Sequence, residues 1–80
     1  MSKMWHVYII RKSGCYYTGI TTDITNRLRQ HGNPQLLYKE AFADKYLAAQ
    51  REKQIKGWSK AKKEQLIVKF AGEFTLSEAK

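Results

Sequence analysis

Phenol, guanidinium and imidazole side chains lie close together in the segment YYTGITTDITNRLRQH, at residues 16–31. Tyr16 and Tyr17 precede a glycine on a candidate strand, while Arg27 and His31 are four residues apart and therefore share one face of a candidate helix. A guanidinium can grip a phosphate group in a defined orientation, and an imidazole can exchange a proton near neutral pH. The combination is more typical of a reactive site than of a core or a solvated surface.

Each of these residues also has an ordinary explanation. Asp23 lies four residues before Arg27, and spacing alone favours a surface ion pair between them worth roughly 0.3 kcal/mol. His31 lies near a helix C-terminus, where the dipole favours an imidazolium. Tyr8 and Tyr17 could be half-buried strand aromatics. Spacing by itself leaves both interpretations open.

The net charge of +8 is concentrated in one part of the chain. Between Lys45 and Lys63, seven basic residues and a single acid, Glu52, give +6. Such a field attracts polyanions, nucleic acid first, although a solvated helix face explains the charge about as well. So many neighbouring cations favour the charged form of a carboxylate, and we therefore expect Glu52 to stay ionised. The lysines that we expect to contact nucleic acid are Lys45, Lys53, Lys56, Lys60, Lys62 and Lys63.

Length and composition predict one small domain in the cytoplasm. With 80 residues there is room for a single core, and we expect it over residues 1–72, followed by a tail over 73–80. The apolar runs are too short for a bilayer, and the first residues lack a signal-peptide pattern, so we expect no membrane association. Cys15 has no second cysteine to pair with, which favours a reducing compartment and the role of a small filler.

Periodicity and capping residues predict the order β-β-α-β-α-α, an α+β fold with a three-stranded, mainly antiparallel sheet flanked by helices. The predicted elements are strands at 5–11 and 15–21 joined by a turn at 12–14, a helix at 21–32 capped by Thr21 or Thr22, a strand at 35–42, a helix at 45–57 capped by Asp44, and a last helix from Ser59 through Phe70.

Six residues in these elements carry further expectations. Leu47, Ala48, Ile55 and Trp58 are expected to face the core. Arg51 falls near the centre of that apolar stripe, which predicts a snorkelling stem. Gly19 inside a strand indicates either a bulge or the close approach of another group.

The segments HVYII, YYTGIT, TTDITNRLRQH and AAQREKQIKGWSKAKKEQLI together resemble the GIY-YIG nuclease superfamily, in its short single-domain bacterial branch. The resemblance spans roughly residues 5–68. His6-Val7-Tyr8 stands for the first name-giving tripeptide and Tyr17-Thr18-Gly19 for the second, and both are degenerate. Specificity comes from the ordered set of polar residues together with the motif REKQIKGW.

The resemblance implies hydrolysis of DNA phosphodiesters with one divalent cation, Mg²⁺ or Mn²⁺, and no small-molecule cofactor. Glu52 would be the only protein ligand of the metal, and Arg27 would hold the scissile phosphate. Tyr17 would be the general base, with Tyr8 hydrogen-bonded beside it or sharing that role. His31, whose pKa lies closer to neutrality than that of a phenol, is the alternative proton acceptor.

The sequence departs from the superfamily pattern in three places. Ile20 stands where many members have a lysine after the second tripeptide's glycine. The segment AGEFTLSEAK has no counterpart of the late asparagine that longer members contribute. An appended DNA-binding domain is also missing from the sequence, so we expect low sequence specificity and a substrate such as branched, damaged or single-stranded DNA.

Two other functions compete with a nuclease. The first is a non-catalytic nucleic-acid binder that uses the basic surface, with Tyr8, Tyr16 and Trp58 as stacking candidates. The second is an interaction module for an acidic protein, which has only the charge in its favour. A binder has no use for Glu52, which would repel phosphate, and so the retained acid favours the nuclease.

Overall fold

The structure, a computed structural model, describes the backbone of residues 4–79 and the side chains of residues 4–71. Three strands and three helices follow in the order β1 (Trp5–Lys12), β2 (Cys15–Thr21), α1 (Ile24–Gln30), β3 (Leu36–Phe42), α2 (Lys45–Lys56) and α3 (Lys60–Ala79). The predicted α+β fold and its element order are confirmed. No helix within residues 4–79 combines the length and the apolar content that a bilayer crossing requires.

The sheet is fully antiparallel, with β1 in the centre and the order β2-β1-β3. Ser13 and Gly14 alone make the β1–β2 turn, with φ of 54° and 78°. Positive φ at both central residues is the two-residue hairpin turn whose twist matches that of the strands. The predicted turn at 12–14 was therefore one residue too long, because Lys12 belongs to β1.

One face of the sheet carries the main core. Val7, Ile9 and Tyr38 pack there against Ala48 and Ile55 of α2. The side chains that border this cluster are partly buried, and they include Trp58, Leu66 and Ile67. Inward packing of Ala48, Ile55 and Trp58 was predicted and is confirmed.

Leu47 is the exception among the predicted core residues. Its side chain is 49% exposed. It lies about 100° around the helix from Ala48, on the rim of α2, where it borders a shallow groove with Phe42 and Gln50. The apolar stripe of α2 is too narrow to include it.

The ends of α2 and the start of α3 follow their predicted caps. The Asp44 carboxylate accepts a hydrogen bond from the backbone N–H of Tyr46 at 2.9 Å, and Gly57 forms the C-cap of α2. The Ser59 hydroxyl accepts from the N–H of Lys62 at 3.3 Å. Each cap satisfies a backbone group that the helix itself leaves unpaired.

The cap of α1 differs from the prediction. Asp23, and not Thr21 or Thr22, is the N-cap, and its carboxylate accepts from the N–H of Asn26 at 3.0 Å. Thr21 instead accepts from the N–H of Asp23 at 3.0 Å, which orients the capping residue. Because the Asp23 carboxylate is engaged in this way, its predicted ion pair with Arg27 does not form; a backbone hydrogen bond of 3.0 Å joins the two residues instead.

The C-terminus of α1 is closed by a left-handed pair. Gly32 and Asn33 have φ of 88° and 56°. The N–H of Asn33 bonds to the carbonyl of Leu28 at 2.7 Å, and that of Gly32 to the carbonyl of Arg29 at 3.1 Å. This is a Schellman motif, and it holds His31 as the C-cap of the helix.

The last helix is longer than predicted. It continues through Gly72 to Ala79, so its predicted end near Phe70 is wrong. A glycine inside a helix costs only about 1 kcal/mol, and the residues around it sustain the helix. The division into a domain over 1–72 and a tail over 73–80 falls on side chains outside the described residues and stays a prediction.

Candidate active site

Three aromatic side chains from three elements meet on the sheet face opposite Val7 and Ile9. Tyr8 of β1 is 1% exposed, whereas Tyr17 of β2 is 39% exposed. The ring centroid of Tyr17 lies 5.0 Å from that of His31 and 6.2 Å from that of Tyr8. The Tyr8 hydroxyl lies 3.4 Å from His31 Nε2. A buried phenol and an exposed phenol therefore both contact the His31 imidazole. Of the two phenols, only Tyr17 is open to solvent.

Gly19 makes room for the buried phenol. It pairs with Tyr8 across the β1–β2 ladder in regular register, so the predicted bulge is absent here; the irregularity in the sheet lies between Ile9 and Ile10, opposite β3. A Cβ on Gly19 would lie 2.6 Å from the Tyr8 hydroxyl oxygen and 2.8 Å from Tyr8 Cζ. The close approach that the glycine indicated is thus by the Tyr8 ring.

Gly19→Ala is expected to destabilise the fold by about 2 kcal/mol, because the added methyl displaces a fully packed ring. Equilibrium urea unfolding measures the effect. The matched control is Gly57→Ala, where φ is −79° and the nearest atom to the new Cβ is 3.5 Å away, so stability should be unchanged or slightly increased. A Gly19→Ala protein as stable as wild type would show that Tyr8 does not need this space.

Arg27 and Glu52 act electrostatically on the same phenol. The pKa of Tyr8 is raised to about 12, first by burial and then by the neighbouring Tyr17, while the charge of Arg27 lowers it and that of Glu52 raises it. Of the site residues inferred from the sequence, Tyr17 and His31 contact Tyr8, and the charges of Arg27 and Glu52 act on its pKa. Tyr8 stays protonated at neutral pH and, being buried, can donate a hydrogen bond but cannot meet substrate directly.

Glu52 lies at one shoulder of the buried stripe of α2, as predicted, with a side chain that is 21% exposed. Its Oε2 is 3.2 Å from Nζ of Lys56, one turn further along the helix. Lys56 itself is more than half exposed. An exposed lysine is a weak partner, and it leaves the carboxylate available to a stronger cation.

The Glu52 carboxylate oxygens fit a hard cation that keeps most of its water ligands when it binds. Among the described side chains, no group of three or more His, Cys, Asp or Glu could enclose a metal ion. Mg²⁺ prefers oxygen ligands, keeps several waters and is commonly held by one or two carboxylates together with substrate phosphates. Glu52 matches that pattern, whereas a zinc-type cage would need ligands that these residues do not provide.

Lys12 is a site residue that sequence reasoning missed. Its Nζ lies 3.3 Å from His31 Nδ1 and 5.7 Å from the ring centroid of Tyr17. Burial, then Lys12 and then Arg27 lower the pKa of His31. The alternation of side chains along a strand could have identified Lys12, because Tyr8, Ile10 and Lys12 lie on one face once Lys12 is assigned to β1.

The lysines predicted to bind nucleic acid are spread over both long helices. Lys45, Lys53, Lys56, Lys60 and Lys62 are exposed, and Lys63 is half-buried. Lys45 lies over the Trp5 ring at 5.2 Å and Lys60 over the Tyr16 ring at 5.9 Å. Such aromatic contacts hold the cations close to the surface without neutralising them.

The three stacking candidates are poorly placed to receive a base. Tyr8 is buried, so its proposed stacking role is wrong. Trp58 has Lys62 at 4.5 Å and Arg51 at 5.3 Å from its ring centroid. Tyr16 donates to Glu64 at 3.0 Å. These contacts fasten α3 to the rest of the domain, which is a structural role.

Arg51 does more than extend a snorkelling stem. Its Nε donates to Glu40 at 3.1 Å and its Nη1 to Gln54 at 3.0 Å. Tyr38 donates to the same Glu40 carboxylate at 2.9 Å. The guanidinium therefore ties α2 to β3, which explains why a cation tolerates a position near the apolar stripe.

Comparison with known proteins identifies the fold. Residues 4–35 match the family model of the GIY-YIG catalytic domain; they include Tyr8, Tyr17, Arg27 and His31 and end before Glu52. UPF0213 proteins of Yersinia pestis and Yersinia pseudotuberculosis are 36% identical to this chain in an alignment that covers 81% of it and 82% of each relative. The chain belongs to the UPF0213 family of GIY-YIG proteins.

A solved UPF0213 structure has the same fold. The UPF0213 protein of Bacillus halodurans, determined by solution NMR, superposes with a TM-score of 0.59 and 32% sequence identity, covering 81% of this chain and 83% of that one. The resemblance to the short bacterial branch of the GIY-YIG superfamily is thereby confirmed.

Proposed function

We propose that this UPF0213 protein is a metal-dependent endonuclease that hydrolyses DNA phosphodiester bonds with low sequence specificity. The observation that carries the proposal is the environment of Tyr8. The charges of Arg27 and Glu52 both act on the pKa of Tyr8, and its hydroxyl contacts His31. Two phenols and an imidazole in contact, together with a guanidinium and a carboxylate whose charges reach Tyr8, are groups that a hydrolase acting on an anionic ester can use.

The reaction assigns each group a task. A water oxygen forms a bond to phosphorus while the bond from phosphorus to the leaving sugar oxygen breaks. The proton of the water passes to the Tyr17 oxygen as that hydroxyl releases its own proton to solvent, and the leaving oxygen takes a proton from solvent. Arg27 holds the nonbridging oxygens of the phosphate and neutralises their developing charge.

Glu52 would hold Mg²⁺, or Mn²⁺ in its place. When bound, such an ion neutralises charge on the phosphate and leaving oxygens. Tyr8 keeps its proton and orients the neighbouring groups from beneath. Because it is buried, its contribution is to the geometry of Tyr17 and His31 and not to proton removal.

DNA is the substrate that the charge distribution favours. The lysines of α2 and α3 would contact phosphates, which position a duplex or a strand without reading its sequence. Specificity would then depend on DNA shape, so branched, damaged and single-stranded DNA are the forms to compare. We place the protein in the cytoplasm, where Cys15 stays reduced.

Incubation of the purified protein with supercoiled, branched and single-stranded DNA tests the proposal. We expect cleavage in Mg²⁺ or Mn²⁺ and complete loss of cleavage after EDTA, with recovery when the metal is restored. Fluorescence anisotropy under the same conditions measures binding. Binding that weakens steeply with salt but is accompanied by no cleavage of any DNA form would instead establish the non-catalytic binder. Absence of binding at low salt would contradict both.

A further inference from the structure

His31 is held between a cation and a phenol. Nζ of Lys12 lies 3.3 Å from one ring nitrogen, Nδ1, and the Tyr8 hydroxyl lies 3.4 Å from the other, Nε2. Lys12 comes from the end of β1 and His31 from the C-cap of α1, so the contact joins two elements that are far apart in sequence. Both ring nitrogens therefore have a partner.

The direction of these hydrogen bonds follows from the chemistry of lysine. An ammonium group has three donors and no acceptor, so Nδ1 must offer its lone pair to Lys12. A neutral imidazole with a free lone pair on Nδ1 carries its hydrogen on Nε2. Nε2–H then donates to the Tyr8 oxygen, which leaves the Tyr8 hydroxyl hydrogen free to point toward the Tyr17 phenol.

The charges that face His31 support the same protonation state. Lys12 from β1 and Arg27 from α1 are both positive and disfavour an imidazolium. Within residues 4–71, the aromatic rings in contact with His31 are the phenols Tyr8 from β1 and Tyr17 from β2, and neither carries a positive charge. The helix C-terminus favours a cation only weakly at an exposed site, too little to offset two adjacent positive charges.

We infer that Lys12 is a positioning residue that holds His31 as a neutral imidazole protonated on Nε2, which donates to Tyr8. This inference rests on the proposed nuclease function and deepens it. With Nδ1 occupied by Lys12 and Nε2 already protonated, His31 has no lone pair to accept a proton from water. Tyr17 is then the general base.

Long-range ¹H–¹⁵N NMR on histidine-labelled protein tests the inference without DNA. We expect wild-type His31 to show the pattern of a proton on Nε2 only. In Lys12→Met the pKa of His31 should rise, because an adjacent positive charge is removed, and the two tautomers should mix. Lys12→Arg, which keeps a donor-only cation, should restore the wild-type titration. The matched control is Lys69→Met, because Lys69 is an exposed lysine on α3, the helix that packs on β3.

The result that overturns the inference is a wild-type His31 with its proton on Nδ1, or a titration that is the same in wild type and Lys12→Met. Because these spectra need no substrate, they decide the role of Lys12 even for a protein that does not cleave DNA. With a cleaving protein, the pH profile is a second readout. The acid limb of the cleavage rate should move to higher pH in Lys12→Met, because His31 becomes protonated at a higher pH and an imidazolium beside Tyr17 opposes the transfer of a further proton to that phenol. An unmoved limb would contradict the inference, and a merely structural lysine would lower the rate equally at every pH.

Discussion

Glu52→Gln is expected to reduce metal-dependent DNA cleavage by about 10³-fold or more while DNA affinity stays the same or increases. The proposed metal ligand is lost, and with it several kcal/mol of charge stabilisation in the transition state. Affinity does not fall, because a negative charge beside the phosphate is removed. The fold should be retained, since among the described residues the ion pair lost is the half-exposed contact with Lys56, worth roughly 0.5 kcal/mol.

Single-turnover cleavage and anisotropy measured on the same preparation separate the two effects. Glu64→Gln is the matched control: Glu64 is an exposed carboxylate on α3 that accepts from Tyr16, and an amide oxygen can accept the same hydrogen bond. Its cleavage rate should equal that of wild type. Unchanged cleavage in Glu52→Gln, with the same dependence on Mg²⁺, would show that the metal is bound elsewhere.

Tyr17→Phe is expected to lower the cleavage rate by about 10²- to 10⁴-fold, the usual contribution of a general base. The removed hydroxyl belongs to the more exposed of the two phenols in the site, so stability should change by less than about 0.5 kcal/mol. His31→Gln should lose no more than about tenfold, because a glutamine amide can still donate a hydrogen bond to Tyr8. Single-turnover rates compare the variants.

Tyr46→Phe serves as the control for removal of a phenol. Tyr46 lies in the first turn of α2 and is 67% exposed, and it is not among the site residues. Its rate should match wild type. The opposite ranking, a severe loss in His31→Gln and a mild one in Tyr17→Phe, would assign the general base to His31.

The sequence alone was sufficient for those features that depend on neighbouring residues. Asp44, Ser59 and Gly57 lie at helix ends where predicted, because a cap bonds to backbone groups within one turn of itself. The three strands were predicted from alternating apolar residues and β-branched composition, which are also properties of neighbouring residues. The prediction failed for α3 at Gly72, since a single glycine is a weak stop when the residues on both sides sustain the helix.

The cap of α1 shows how local alternatives compete. Thr21, Thr22 and Asp23 are all good capping residues, and the sequence does not rank them. In the structure Thr21 is the last residue of β2 and pairs with His6. It is therefore part of the strand, and Asp23 is the N-cap of α1. The strand register, set by residues far away in the chain, made that choice.

The amino-acid sequence determined the order of the elements, the family resemblance and the polar residues proposed for the site, since all of these are written in short motifs and in periodicity. Only the tertiary structure decided that Tyr8 is buried, that Gly19 lies against its ring and that Lys12 contacts His31. The reason is physical: each of these contacts joins residues from different elements, and it exists only after strand register and helix docking have brought them together.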